Sequence, residues 1–145
     1  MNTAQLLINN AKQYPNEPAI SIKDANGEWK TDNWTEFLDY TMQISKSLIS
    51  LGIRPNEKIS IYSYNRKEWY GCYLASQMSH IVGVGVYHTC SSEEVEWVVG
   101  NSESRIVFVG NNPNDNDDVE KMPNHRLRNA IDKLNQVDVV VMMDG

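Results

Sequence analysis

A chain of 145 residues is long enough to bury a hydrophobic core without disulfides or metals, and short enough to be read as one folding unit. Thirteen basic against nineteen acidic side chains give a formal charge of −6, which weighs against nonspecific binding to nucleic acid or to an anionic membrane surface. The start Met1-Asn2-Thr3-Ala4-Gln5 lacks the basic and apolar regions of a signal peptide. The longest apolar run, Ile81 to Tyr87, is too short to cross a bilayer, so no transmembrane segment is expected. Two cysteines, Cys72 and Cys90, make no secreted disulfide framework. A soluble protein of the reducing cytoplasm is the expectation.

Residues 4 to 13 suit a short helix with Leu6, Leu7 and Ala11 on one side. Ala19 to Ile22 and Trp29 to Thr31 read as strands around Asp24-Ala25-Asn26-Gly27, whose Asn-Gly pair suits a hairpin turn. Asn33-Trp34-Thr35-Glu36 carries a capping box, predicting a helix start. Phe37, Ile44, Leu48 and Leu51 follow near one face, and Gly52 ends the helix before Pro55. A rhythm of strand, cap and helix comes next. Lys58 to Ser63 is a strand, Asn65-x-x-Glu68 a capping signal, and Trp69 to His80 a helix. Gly83 to Tyr87 is a strand, Ser91-x-x-Glu94 a capping box, and Val95, Val98 and Val99 the apolar side of a helix ending near Gly100-Asn101. Arg105 to Val109 is an apolar strand suited to a sheet covered on both faces. Gly110 to Asn124 reads as a polar surface loop, Leu127, Ala130, Ile131 and Leu134 as a helix, and Val137 to Met143 as a last strand. The alternation predicts right-handed crossovers and a mainly parallel, layered α/β sheet.

Several constellations invite chemistry. Gly83-Val84-Gly85 begins a dinucleotide fingerprint, but its third glycine would fall at His88, and no G-x-x-x-x-G-K-[ST] loop occurs. The simpler reading is close packing of a strand under a helix. Cys72, His80, His88 and Cys90 are zinc-preferred residue types without paired ligand spacing. The acidic stretch Asp115 to Glu120 has no register that satisfies an EF-hand, and reads as a solvated loop. Ser63, Ser91 and Ser92 sit in no nucleophile elbow, and Ser91 has a sufficient role as a cap. Four tryptophans and seven tyrosines are not interleaved with basic residues, so packing explains them. Ligands of open α/β sheets sit at the carboxyl ends of strands, which puts Tyr64-Asn65, His88-Thr89 and Gly110-Asn111 on the edge where a site would lie.

The hairpin with Trp34-Thr35-Glu36-Phe37, the helix end Leu51-Gly52-Ile53 with Lys58-Ile59-Ser60-Ile61, and Asn65-Arg66-Lys67-Glu68-Trp69 closely resemble the N-terminal region of adenylate-forming (AMP-binding) enzymes. Gly85-Val86-Tyr87-His88-Thr89-Cys90-Ser91 looks like the G-[IV]-Y-x-T-x-S stretch of long-chain fatty acid acyl-CoA synthetases, including the bubblegum type, and Val107-Phe108-Val109 and Leu134 to Gly145 continue in order. The resemblance covers nearly the whole chain. It implies a partial AMP-binding domain over residues 1 to 145 in a parent that uses ATP, Mg²⁺ and coenzyme A to turn a fatty acid into an acyl-adenylate and then acyl-CoA. The family's phosphate loop, adenine and magnesium motifs and C-terminal lysine have no counterpart in this sequence. Catalytic, cofactor-binding and metal residues are therefore carried over for none of its positions.

A last strand that reaches the end of the sequence predicts a truncated reading frame or partial gene, whose partner would be the remainder of the synthetase. This segment is expected to be inactive alone and to expose surfaces that the rest of the domain covers. The rival readings are a noncatalytic α/β interaction module acting through its sheet edge or a helical face, and a small nucleotide-binding domain. One fold serves several adenylating chemistries, so resemblance alone does not choose the carboxylate.

Overall fold

The computed structural model describes residues 3–24, 26–112 and 118–144. The middle of the expected hairpin turn at Ala25 and the first half of the acidic stretch, with residues 113–117, lie outside the described residues.

Helix α1 (Thr3–Gln13) buries Ala4, Leu7 and Ala11, while Leu6, expected on that side, is half exposed. The strands β1 (Pro18–Lys23) and β2 (Trp29–Asn33) pair antiparallel as the expected hairpin. Gly27 takes the positive φ, +82°, that the turn requires. The Asn33 side chain accepts from the Glu36 amide at 2.9 Å, and the Glu36 carboxylate accepts from the Asn33 amide at 2.9 Å. That reciprocal pair starts α2 (Trp34–Ser50). Phe37, Thr41 and Leu48 form its buried stripe. Leu51 caps the helix and is half exposed, one place beyond the stripe that the 3.6-residue period extends to it.

Four parallel strands follow: β3 (Lys58–Ser63), β4 (Val82–Val86), β5 (Ile106–Gly110) and β6 (Val139–Met142), in the spatial order β4-β3-β5-β6. Helix α3 (Lys67–Met78) links β3 to β4, and α4 (Ser92–Ser102) links β4 to β5. Between β5 and β6 the chain passes a 3₁₀ turn at Val119–Lys121, α5 (Pro123–Ala130) and a second 3₁₀ turn at Ile131–Lys133. The expected helix through Leu134 thus tightens after Ala130, and Leu134 remains buried.

The pleat divides the central strands between two cores. Ile59 and Ile61 of β3 and Ile106 and Phe108 of β5 face Leu48, Cys72 and Ala75 of α2 and α3. Tyr62, Val107 and Val109 face Val95 and Val99 of α4 and Leu127 and Ala130 of α5. Burial on both faces is why these strands read as continuous apolar runs. The Ser91 capping box is present, with the Ser91 amide donating to Glu94 Oε2 at 2.7 Å.

The Asn65 capping signal is not realised. Arg66 takes the cap position of α3 with extended backbone (φ −150°, ψ 164°) and makes no side-chain cap bond. Glu68, read as the reciprocal partner, instead accepts from Arg66 Nε at 2.7 Å. A neighbouring guanidinium outcompetes a backbone amide for the carboxylate.

Candidate functional site at the carboxyl edge of the sheet

Within the parallel sheet the chain runs second, first, third, fourth, so the connections depart in opposite directions from β3. In open sheets, the crevice outside the strand ends at such a reversal is the usual ligand position. The expected edge segments meet there, because β3 ends at Ser63, β4 at Val86 and β5 at Gly110, in parallel register.

On the β4 side of β3 lies a cleft of about 400 Å³. Ser63 and Asn65 come from the end of β3, Trp69 from the first turns of α3, and Gly85 to His88 from the end of β4. Trp69 is held by stacking on Tyr73 at 5.7 Å and by an edge contact with Tyr70 at 5.5 Å. The loop after β4 is pinned from beneath and from the side. Tyr62 Oη donates to the Cys90 carbonyl at 2.9 Å, and Arg126 Nη1 of α5 donates to the Thr89 and Cys90 carbonyls at 2.8 and 2.9 Å. Burial pushes the Tyr62 hydroxyl up to about 12, against the lowering influence of Arg126. It stays a neutral donor at ordinary pH.

On the β5 side the crevice is occupied by protein. Arg66 donates through Nε to Glu68, through Nη1 to Asp144 and through Nη2 to the Met143 carbonyl. Burial opposes the Arg66 charge, but its bonds to Glu68 and Asp144 outweigh that and shift its pKa upward. Asp144 also accepts from the Asn111 amide at 2.7 Å, and Asn111 Oδ1 accepts from the Asn124 amide at 3.1 Å. Gly110 makes room for this clasp: an added Cβ would lie 2.8 Å from Arg66 Nη1 and 2.9 Å from Ser63 Oγ. The ends of β3 and β6 are thus tied through the Arg66 guanidinium, and the end of β5 joins them through Asp144.

The zinc-type residues are not gathered. Cys72 is buried among the α2 and α3 core residues, where desolvation pushes its thiol up to about 12, with Glu68 adding to the effect. His80 lies at the opposite edge, its carbonyl accepting from Asn56 just before β3. Among the described residues, no group of three or more His, Cys, Asp or Glu side chains is placed to hold a metal ion, and no helix is long and apolar enough to cross a membrane.

Asn65 and His88 line the cleft as the edge rule predicts, whereas Asn111 belongs to the clasp. Local sequence reading misses Arg66, which hides inside the apparent cap. It also misses Arg126, whose carbonyl partner Cys90 lies 36 residues earlier.

Residues 7–145 match the family described as AMP-binding enzyme. Long chain acyl-CoA synthetase 4 of Arabidopsis thaliana is 29% identical over 102 residues, 68% of this chain and 15% of its own. Long-chain-fatty-acid–CoA ligase ACSBG2 of Mus musculus is 26% identical over 111 residues, 77% of this chain and 16% of its own. Long-chain-fatty-acid–CoA ligase heimdall of Drosophila melanogaster is 25% identical over 137 residues, 92% of this chain and 19% of its own. The chain therefore spans less than a fifth of the length of these relatives. Among solved structures, the N-terminal domain of FACL13 from Mycobacterium tuberculosis superposes with a TM-score of 0.80 at 17% identity, covering 99% of this chain and 33% of that one. Coronafacic acid ligase from Pectobacterium brasiliense gives 0.82 at 20% identity, covering 99% and 26%. At such identities the likeness is one of fold. The order of segments, the parallel sheet behind its hairpin and the match over residues 7–145 together place this chain in the AMP-binding enzyme family.

Proposed function

We propose that these residues are the N-terminal part of an ATP-dependent long-chain fatty acid–CoA ligase, in which a carboxylate is converted to an acyl-adenylate and then to acyl-CoA. The observation that carries the reading is the family match over residues 7–145, joined by relatives named as long-chain acyl-CoA ligases. In this reading the whole ligase uses ATP, Mg²⁺ and coenzyme A. The residues present do not fit a magnesium triphosphate: no Lys, Arg, Asp or Glu is among the described residues lining the cleft, and Arg66 is committed to Glu68 and Asp144. No chemical step is therefore assigned to them. Their part is to build the sheet and its helical layers and to hold the carboxyl edge through the Arg66 clasp and the Arg126 clamp. The free thiols of Cys72 and Cys90 suit a reducing, cytoplasmic setting.

The test is fatty acid-dependent acyl-CoA formation by the native polypeptide that carries this sequence, set beside ATP–pyrophosphate exchange by the 145-residue chain. The expected outcome is acyl-CoA from the native polypeptide and no exchange from the chain alone. Carboxylate-dependent exchange by the chain alone would overturn the assignment of chemistry elsewhere. A native polypeptide with no acyl-CoA activity on any long-chain fatty acid would overturn the substrate class.

A further inference from the structure

A second groove, of about 480 Å³, opens at the opposite edge of the sheet, where α1, α2 and the end of α3 meet. Ile8, Met42 and Met78 give it apolar walls, Lys46 brings an ammonium and His80 an imidazole, and no Asp or Glu is among the described residues lining it. Ser45 Oγ and Ser79 Oγ share a hydrogen bond of 2.7 Å that ties α2 to the end of α3. Lys46 has no ion-pair partner among the described residues, in a chain whose formal charge is −6. An unanswered ammonium beside apolar surface is the complement of an anion that carries an apolar body.

His80 adds an observation of a different kind. It follows the cap residue of α3 and holds a left-handed backbone, φ 56°. Glycine is the usual occupant of that position, because a side chain at positive φ is strained. The helix end does not need the imidazole. The Ala75 and Ser76 carbonyls accept from the Ser79 amide, Ser76 also from the Ile81 amide, and the His80 carbonyl from the Asn56 amide. A strained residue that the local backbone does not require points to a use for its side chain, and this one lines the groove with Lys46. Methionine walls, flexible and polarisable, suit an unbranched alkyl chain. We propose that the groove binds a medium-chain alkyl carboxylate, its head held by Lys46 and His80 and its chain laid along Met42, Met78 and Ile8. The proposal does not depend on the ligase reading, because it is read as binding at two named methyl groups and not as turnover.

The experiment is a methionine-methyl ¹H–¹³C NMR titration of the native polypeptide that carries this sequence, with the Met42 and Met78 signals assigned through Met42→Leu and Met78→Leu. Decanoate is the probe, decanol its neutral control and decylammonium its cationic control. Both methyl signals should shift saturably with decanoate. Decanol should bind about tenfold more weakly, as expected for the loss of one charge-assisted bond, and decylammonium more weakly still. Lys46→Gln should weaken decanoate about tenfold for the same reason, and Lys46→Glu should turn the preference toward decylammonium. His80→Gly accepts the left-handed backbone, so the fold is kept, and it should weaken decanoate about fivefold, the worth of one hydrogen bond. Three results would overturn the proposal: no saturable shift of either methyl with decanoate, decanol binding as tightly as decanoate, or unchanged affinity in both Lys46→Gln and His80→Gly. Broadening of the same methyls by phosphatidylglycerol vesicles, without a decanoate shift, would assign the groove to a membrane surface and overturn it equally.

Discussion

Replacing Gly71 by alanine sets helix propensity against tertiary packing. Gly71 lies inside α3, where alanine is favoured over glycine by about 1 kcal/mol in an exposed helix. Gly71 is buried against α2, however, and an added Cβ would lie 2.6 Å from Tyr40 Cε1 and 2.9 Å from Ile44 Cδ1. Ile44 can rotate its terminal methyl away. Tyr40 has less freedom, because its ring is half-buried and carries the Lys67 ammonium 4.4 Å from its centroid. Overpacking of this kind costs about 1–3 kcal/mol, so the net effect of Gly71→Ala is a destabilisation of about 1 kcal/mol. In a Tyr40→Ala background the obstacle is gone, and the same substitution should stabilise by about 1 kcal/mol. The double-mutant cycle thus predicts a coupling of about 2 kcal/mol. Urea unfolding followed by far-UV circular dichroism measures each corner. A stabilising Gly71→Ala in the wild-type background, with no coupling to Tyr40, would refute the packing argument.

Ser91→Ala should cost about 1 kcal/mol in urea unfolding, because it removes the side-chain cap of α4. Asn65→Ala should stay within about 0.5 kcal/mol, since Arg66 and not Asn65 takes the cap position of α3. In native thiol titration Cys90 should react first, while Cys72, 3% exposed and with its thiol pushed up to about 12, should react only as fast as the chain unfolds. Burial also pushes the Tyr62 and Tyr40 hydroxyls up to about 12 from 10.0. Their neutral forms are favoured by the fold, so their contribution is complete below pH 10.0 and is lost as pH rises through about 12. The alkaline fall in the urea midpoint should be shallower in Tyr62→Phe. An unchanged alkaline limb would refute that origin. At the other end, Glu57 is held below its ordinary 4.5, first by the Arg54 amide and then by Arg105. Its stabilising effect is present above pH 4.5 and is lost as pH falls through its lowered value, so Glu57→Gln should flatten the acid limb.

Local chemistry determined the elements. Asn33 with Glu36 and Ser91 with Glu94 start helices because each side chain reaches an amide three residues away. The apolar continuity of β3 and β5 announced a sheet covered on both faces, since residues that alternate between two cores need no polar side. The carboxyl edge was legible for the same reason: strand direction and alternating helices place Asn65 and His88 on it before any contact is known.

What the sequence could not supply was every relation that closes over a long separation. The Asn65-to-Glu68 signal has the right spacing and fails because Arg66, joined to Asp144 from 78 residues later, draws Glu68 away from the helix amide. The Arg126 clamp and the need for glycine at positions 71 and 110 likewise exist only once separate elements meet. Propensity, periodicity and caps act within a few residues along the chain and are written there. Desolvation, steric fit and competition for a charge depend on which atoms are neighbours in space, and packing alone decides that.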